Sequence, residues 1–98
     1  MVEKIRWSPK AADNFEEICN FIGKDSEFYA SMLAKKINSI IKNIPLFPES
    51  GRIVPEYQDK SLREKIFQNY RIVYRIKGDF IEIAAISHCA RQLNIEYA

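Results

Sequence analysis

No run of apolar residues in this chain approaches the roughly 20 needed to cross a bilayer, and its first residues lack the basic-then-apolar profile of a secretion signal. A cytoplasmic protein with no membrane partner is expected. Cysteine is scarce. Cys19 and Cys89 lie far apart and match no metal-ligand spacing, so both are expected to stay thiols in a reducing compartment, with no metal and no cofactor implied. An excess of one charge is missing too: 15 Lys and Arg against 13 Asp and Glu leave a formal charge of +2, too little by itself to mark a polyanion partner. Internal repeats and low-complexity segments are also absent.

What is present suits one small domain. A chain of 98 residues with 47% apolar and 12% aromatic side chains can bury a single modest core, so one domain over 1–98 is expected. Charge is unevenly spread: residues 1–59 carry 8 basic and 9 acidic side chains, whereas 60–98 carry 7 and 4. An anion-binding surface is therefore sought in the C-terminal part.

Val2 to Trp7 alternates in the manner of a short strand, with Ile5 and Trp7 on one side. Ser8-Pro9 then starts a helix, because the hydroxyl caps free amides and proline loses nothing at the first helical position. Phe15, Ile18, Cys19 and Ile22 share one helical face before Gly23 closes it. A second start at Asp25 or Ser26 leads into Ala30, Leu33, Ala34, Ile37, Ile40, Ile41 and Ile44, a long apolar stripe that Pro45 ends. The short link predicts an antiparallel helix hairpin. Pro45 to Lys60, with three prolines and a glycine, reads as an irregular surface loop. Beyond it the period changes to two: Leu62–Phe67, Tyr70–Ile76 and Phe80–Ala85 read as strands joined by short polar turns, hence a meander. The expected class is α+β, order β-α-α-β-β-β, with a small antiparallel sheet covered on one face by the hairpin.

Several local signatures then carry a resemblance over nearly the whole chain. They are Trp7-Ser8-Pro9 with Ala12 and Ile18; Gly51-Arg52 with Val54-Pro55-Glu56; Arg63-Glu64; Tyr70-Arg71-Ile72-Val73-Tyr74; and Ile86-Ser87-His88-Cys89-Ala90-Arg91-Gln92-Leu93. Together and in this order they resemble the RelE/ParE superfamily of toxins. The resemblance implies a growth-inhibiting toxin of a type II toxin–antitoxin pair, neutralised by a cognate antitoxin. The Gly-Arg-x-Val-Pro-Glu loop and the His-x-x-Arg-x-Leu end look like the ParE branch, which implies DNA gyrase as the target and no chemistry of its own. An alternative is the RelE branch, which implies cleavage of mRNA in the ribosomal A site. A non-toxic interaction module of the same fold is a third reading.

RNA cleavage needs a 2′-hydroxyl deprotonated, phosphate charge neutralised and a leaving oxygen protonated. In the RelE branch this work falls to lysines, arginines and a C-terminal tyrosine, and the resemblance places Arg71, Arg91 and Tyr97 on such positions. Under the ParE reading, Arg63, Lys65, His88 and Arg91 are the candidates for target contact. Plainer readings stand beside these. Arg71, in a strand next to a tyrosine, equally suits a structural partner for a carboxylate. His88 is the only histidine, and its ordinary pKa suits acid–base work, but a structural role is the plainer one. Trp7 and Tyr74 are expected in the core, and Lys35, Lys36 and Lys42 on a solvated helix face.

Overall fold

Residues 4–89 are described by a computed structural model. Strand β1 (Lys4–Trp7) runs into Ser8, whose extended backbone and side-chain oxygen cap helix α1 (Pro9–Gly23) by accepting from the Ala11 amide at 3.0 Å. Proline in that first turn sacrifices no helical hydrogen bond. The same hydroxyl donates to the Ala84 carbonyl at 2.9 Å and so ties the helix start to the sheet. Ser26 repeats the capping device at the start of α2 (Glu27–Asn43), accepting from the Tyr29 amide at 3.0 Å. The two helices form the expected hairpin.

Two single 3₁₀ turns (Ile44–Leu46 and Pro48–Ser50) lead to β2 (Arg52–Ile53), and β3 (Leu62–Phe67), β4 (Tyr70–Lys77) and β5 (Phe80–His88) follow. The strand order across the sheet is β1-β5-β4-β3-β2. The α+β class and the helix-covered sheet are as expected, with three refinements. First, β1 pairs parallel to β5, from Lys4 opposite Phe80 to Trp7 opposite Ile83, so the sheet is mixed rather than wholly antiparallel. Sequence alternation reveals which face a side chain takes, not which way a neighbour runs. Second, β2 lies inside the expected loop; two residues are too few to show a period. Third, β5 continues past Ala85 to His88. Pairing steps from Tyr74 opposite Ile83 to Val73 opposite Ala85, so Ala84 is an extra residue in the strand. Such a bulge switches the inward set, and Ile86 rather than Ala85 joins Ile81 and Ile83 under the helices.

Leu33, Ile37 and Ile41 of α2 and Ala11 of α1 pack on Ile72, Tyr74, Ile81, Ile83 and Ile86, with Trp7 and Phe15 at the margin. Full burial of each such aliphatic side chain contributes about 1.5–3 kcal/mol. The opposite face of the sheet is not bare. Segment 54–61 lies across it as a strap, with Val54 wholly buried against Leu62, Val73 and Ala85 and Tyr57 partly so. Among the described residues no helix is long and apolar enough to cross a membrane.

Candidate functional site

Strand register decides which candidate side chains can meet. Arg63 stands opposite Tyr74, Lys65 opposite Ile72 and His88 opposite Tyr70. Those three partners belong to the helix-side core, and directly opposed residues share a face, so Arg63, Lys65 and His88 leave the sheet on the helix side. Arg71, opposite Ile66 and Ser87, leaves it on the strap side. Arg91 and Tyr97 lie outside the described residues.

On the strap side four charges interlock. Glu64 is wholly buried and the Arg71 side chain is 7% exposed. Arg71 donates from Nη1 and Nη2 to the two oxygens of Glu56 at 2.7 and 2.8 Å, and from Nε to Oε1 of Glu64 at 2.7 Å. The other Glu64 oxygen accepts from Nε of Arg52. A carboxylate in such a place is tolerable only when paired and hydrogen-bonded, and two arginines meet that demand. Hydrogen bonding to Arg71 holds the Glu56 carboxyl down to about 2 against its own partial desolvation. The same bonds hold the Arg71 guanidinium above its ordinary value. Arg71 is thus a clasp between sheet and strap, its charge met by two carboxylates.

Sequence reasoning passed over Arg52, Glu56 and Glu64 as functional groups, although all three sit in the signatures quoted for the resemblance. One signal was available. Glu64 alternates with Leu62 and Ile66, and an acid in an apolar row calls for a cation beside it.

Arg63 ties down the chain between α2 and β2. It donates from Nε to the Lys60 carbonyl at 2.8 Å and from Nη1 to the Glu49 and Gly51 carbonyls at 3.0 and 3.1 Å. From inside the core the Tyr74 hydroxyl donates to the Pro48 carbonyl at 2.6 Å and accepts from the Gly51 amide at 3.1 Å. Burial pushes the Tyr74 phenol up, which keeps it protonated as that donor. Gly51 must lack a side chain here, since a Cβ would sit 2.8 Å from the Glu64 carbonyl oxygen and overlap the Tyr74 hydroxyl. Lys65 is half-buried and His88 exposed. The His88 ring meets Tyr70 edge-on, centroids 5.7 Å apart, at a groove shared with Asn14, Glu17 and Phe21.

A second groove runs between α2 and the β3–β4 turn, lined by Tyr29, Met32, Leu33 and Phe67 with Lys35 and Lys36 alongside. Phe21, Phe28, Tyr29 and Met32 leave 45–76% of their surfaces exposed around the helix hairpin. Lone exposed apolar residues are ordinary, but clusters of this kind mark binding surfaces. Among the described residues no group of three or more His, Cys, Asp or Glu side chains could hold a metal ion.

Comparison with known proteins agrees with this architecture. Residues 5–93 match the family described as the ParE toxin of the type II toxin-antitoxin system parDE. A protein of Sinorhizobium fredii named as a candidate toxin, Y4kP, is 32% identical over 92 residues, which is 92% of this chain and 92% of that protein. The solved chromosomal ParDE toxin–antitoxin system from P. aeruginosa contains a chain that superposes with a TM-score of 0.73, covering 89% of this chain and 96% of that one at 19% identity. That last likeness is one of fold.

Proposed function

This chain belongs to the ParE toxin family of type II toxin–antitoxin systems, and on that premise we propose that it arrests growth by binding DNA gyrase in the cytoplasm, without chemistry of its own, until a cognate antitoxin covers it. The observation that carries the choice is the state of Arg71. A phosphodiester transition state needs cations free to take up its charge, and Arg71 is committed to Glu56 and Glu64 on a face that the strap covers. Arg63, Lys65 and His88 stand on the other side of the sheet. A set divided in this way suits contacts with a macromolecule better than joint action on one phosphate. Arg63, Lys65 and His88 are accordingly proposed as target-side residues, and Arg91 joins them on the strength of the family resemblance. Arg71, Arg91 and Tyr97 are the catalytic set only under the RelE-like alternative, in which mRNA is cut at the ribosome.

For the antitoxin the helix hairpin and the sheet edge beside it offer a suitable seat. Among the described residues β2 pairs with Arg63 and Glu64 alone, and no described strand pairs with the outer edge of β3 from Lys65 to Phe67, next to the groove of Tyr29 and Met32. An extended segment gains main-chain bonds on such an edge and apolar burial in such a groove. Hydrogen exchange of the complex should show slowed amides in both helices and at that edge; slowing confined to 45–60 would contradict this seat.

The gyrase reading is tested with purified toxin in a supercoiling assay and with transcripts mapped after induction. Inhibited supercoiling and a DNA-damage response with intact transcripts are expected. Ribosome-dependent cuts in mRNA would transfer the assignment to the RelE-like alternative.

A further inference from the structure

The helix hairpin is not the only place where large apolar side chains face solvent. Leu46, which ends the first 3₁₀ turn, and Phe47, which joins it to the second, are 64% and 72% exposed, and Ile53 of β2 is 37% exposed. Ile53 pairs with Arg63 and therefore faces the helix side, the side from which α2 delivers Leu46 and Phe47. Between them the backbone is drawn together, since Pro48 and Gly51 share the Tyr74 hydroxyl and Glu49 and Gly51 share Nη1 of Arg63. These three side chains are thus carried on a fastened stretch of chain rather than a slack one. Phe28 stands in the first turn of α2 and Leu46 just past the end of that helix, so most of the length of α2 (Glu27–Asn43) lies between this patch and the exposed residues near the turn of the hairpin.

We propose that Leu46, Phe47 and Ile53 form the anchor by which the toxin engages its target, a folded protein with an apolar pocket and an acidic rim. This rests on the toxin reading above. Shape favours a folded occupant over an extended antitoxin segment: protruding side chains held in place are met best by a concavity, which a folded partner supplies. Preorganised apolar anchors also lose little entropy on docking, which is what concentrates binding energy at a few residues. The rim follows from charge. Lys42 in the last turn of α2 and Arg63 flank the patch along the chain and across the strands, against the single acid Glu49 within it, and an acidic border on the partner complements that surplus. Arg63 adds its charge to that surplus and also positions the patch, because its Nε and Nη1 donate to the loop carbonyls.

The test compares wild type, Phe47→Ser and the double variant Leu46→Ser/Phe47→Ser, at matched soluble levels. Growth arrest, gyrase supercoiling and co-purification with the antitoxin from the neighbouring gene are read together, with thermal melting as the control for folding. The proposal expects unchanged melting, retained antitoxin and loss of growth arrest, with the half-inhibiting toxin concentration raised at least about tenfold, as for a hot-spot truncation. If melting falls in the double variant, Phe47→Ser alone decides. Arrest at wild-type strength overturns the anchor, and so does parallel loss of antitoxin binding, which would give the patch to the antitoxin. A wild-type chain that arrests growth while sparing supercoiling removes gyrase as the target but leaves the anchor to be judged by the variants. One that arrests nothing overturns both.

Discussion

A buried acid between two arginines sets the energetics of individual residues. Removing the Glu64 carboxylate by Glu64→Ala would leave Arg71, 7% exposed, with Glu56 alone, and breaking a buried pair on one side costs about 3–5 kcal/mol. Denaturant unfolding should register that loss. Glu56→Gln should cost less, because its side chain is 36% exposed and solvent screens the exposed part of the pair. It should alter the pH profile instead. Glu56 is held down to about 2 in the folded protein by Arg71, so its charged form contributes stability above the ordinary carboxylate range. That contribution is lost as pH falls from the ordinary range through about 2. Acid unfolding of wild type should therefore steepen over this interval, and Glu56→Gln should flatten it; identical acid profiles would mean that the clasp contributes nothing.

At the scale of elements, the joint between α2 and β2 draws on the Tyr74 hydroxyl and the missing side chain of Gly51 as well as on Arg63. Tyr74→Phe would leave the Pro48 carbonyl and the Gly51 amide without their shared partner, costing about 1 kcal/mol per bond and quickening amide exchange at Gly51. Gly51→Ala should be worse, about 1–3 kcal/mol as an overpacked site, because the Glu64 carbonyl it would meet is backbone. Equal melting temperatures for Gly51→Ala and wild type would contradict the packing described. Helices, their caps and the meander were legible in the chain because periodicity and Ser8-Pro9 are local. The strap, the two residues of β2 and the parallel course of β1 were not, because each depends on a partner distant in sequence. The same holds for the candidate site. Arg71 was legible as a charge of interest, yet only the fold reveals that Glu56, 15 positions earlier, clasps it.

For the whole molecule, the proposed division of surfaces makes separable predictions. His88 is exposed with its ring edge-on to Tyr70, whereas an arginine offers any target a permanent charge, so His88→Ala should retain more toxicity than Arg91→Ala when soluble levels match. A harmless Arg91→Ala beside an inactive His88→Ala would reverse that order. A truncation after Asn94, which removes Tyr97, should keep much of the growth arrest; abolition of ribosome-dependent cuts by the same truncation would instead mark Tyr97 as catalytic. The parallel pairing of β1 with β5 carries a consequence of another kind, in time rather than space. Ser8 reaches Ala84 across 76 positions, and β5 lies between β1 and β4 in the sheet. A chain still being made therefore has neither a neighbour for its first strand nor a complete floor for its helices until β5 has emerged. Pairings of such sequence separation also form slowly. A copy cut short before β5 accordingly has no closed sheet, and so no completed surface to offer a partner.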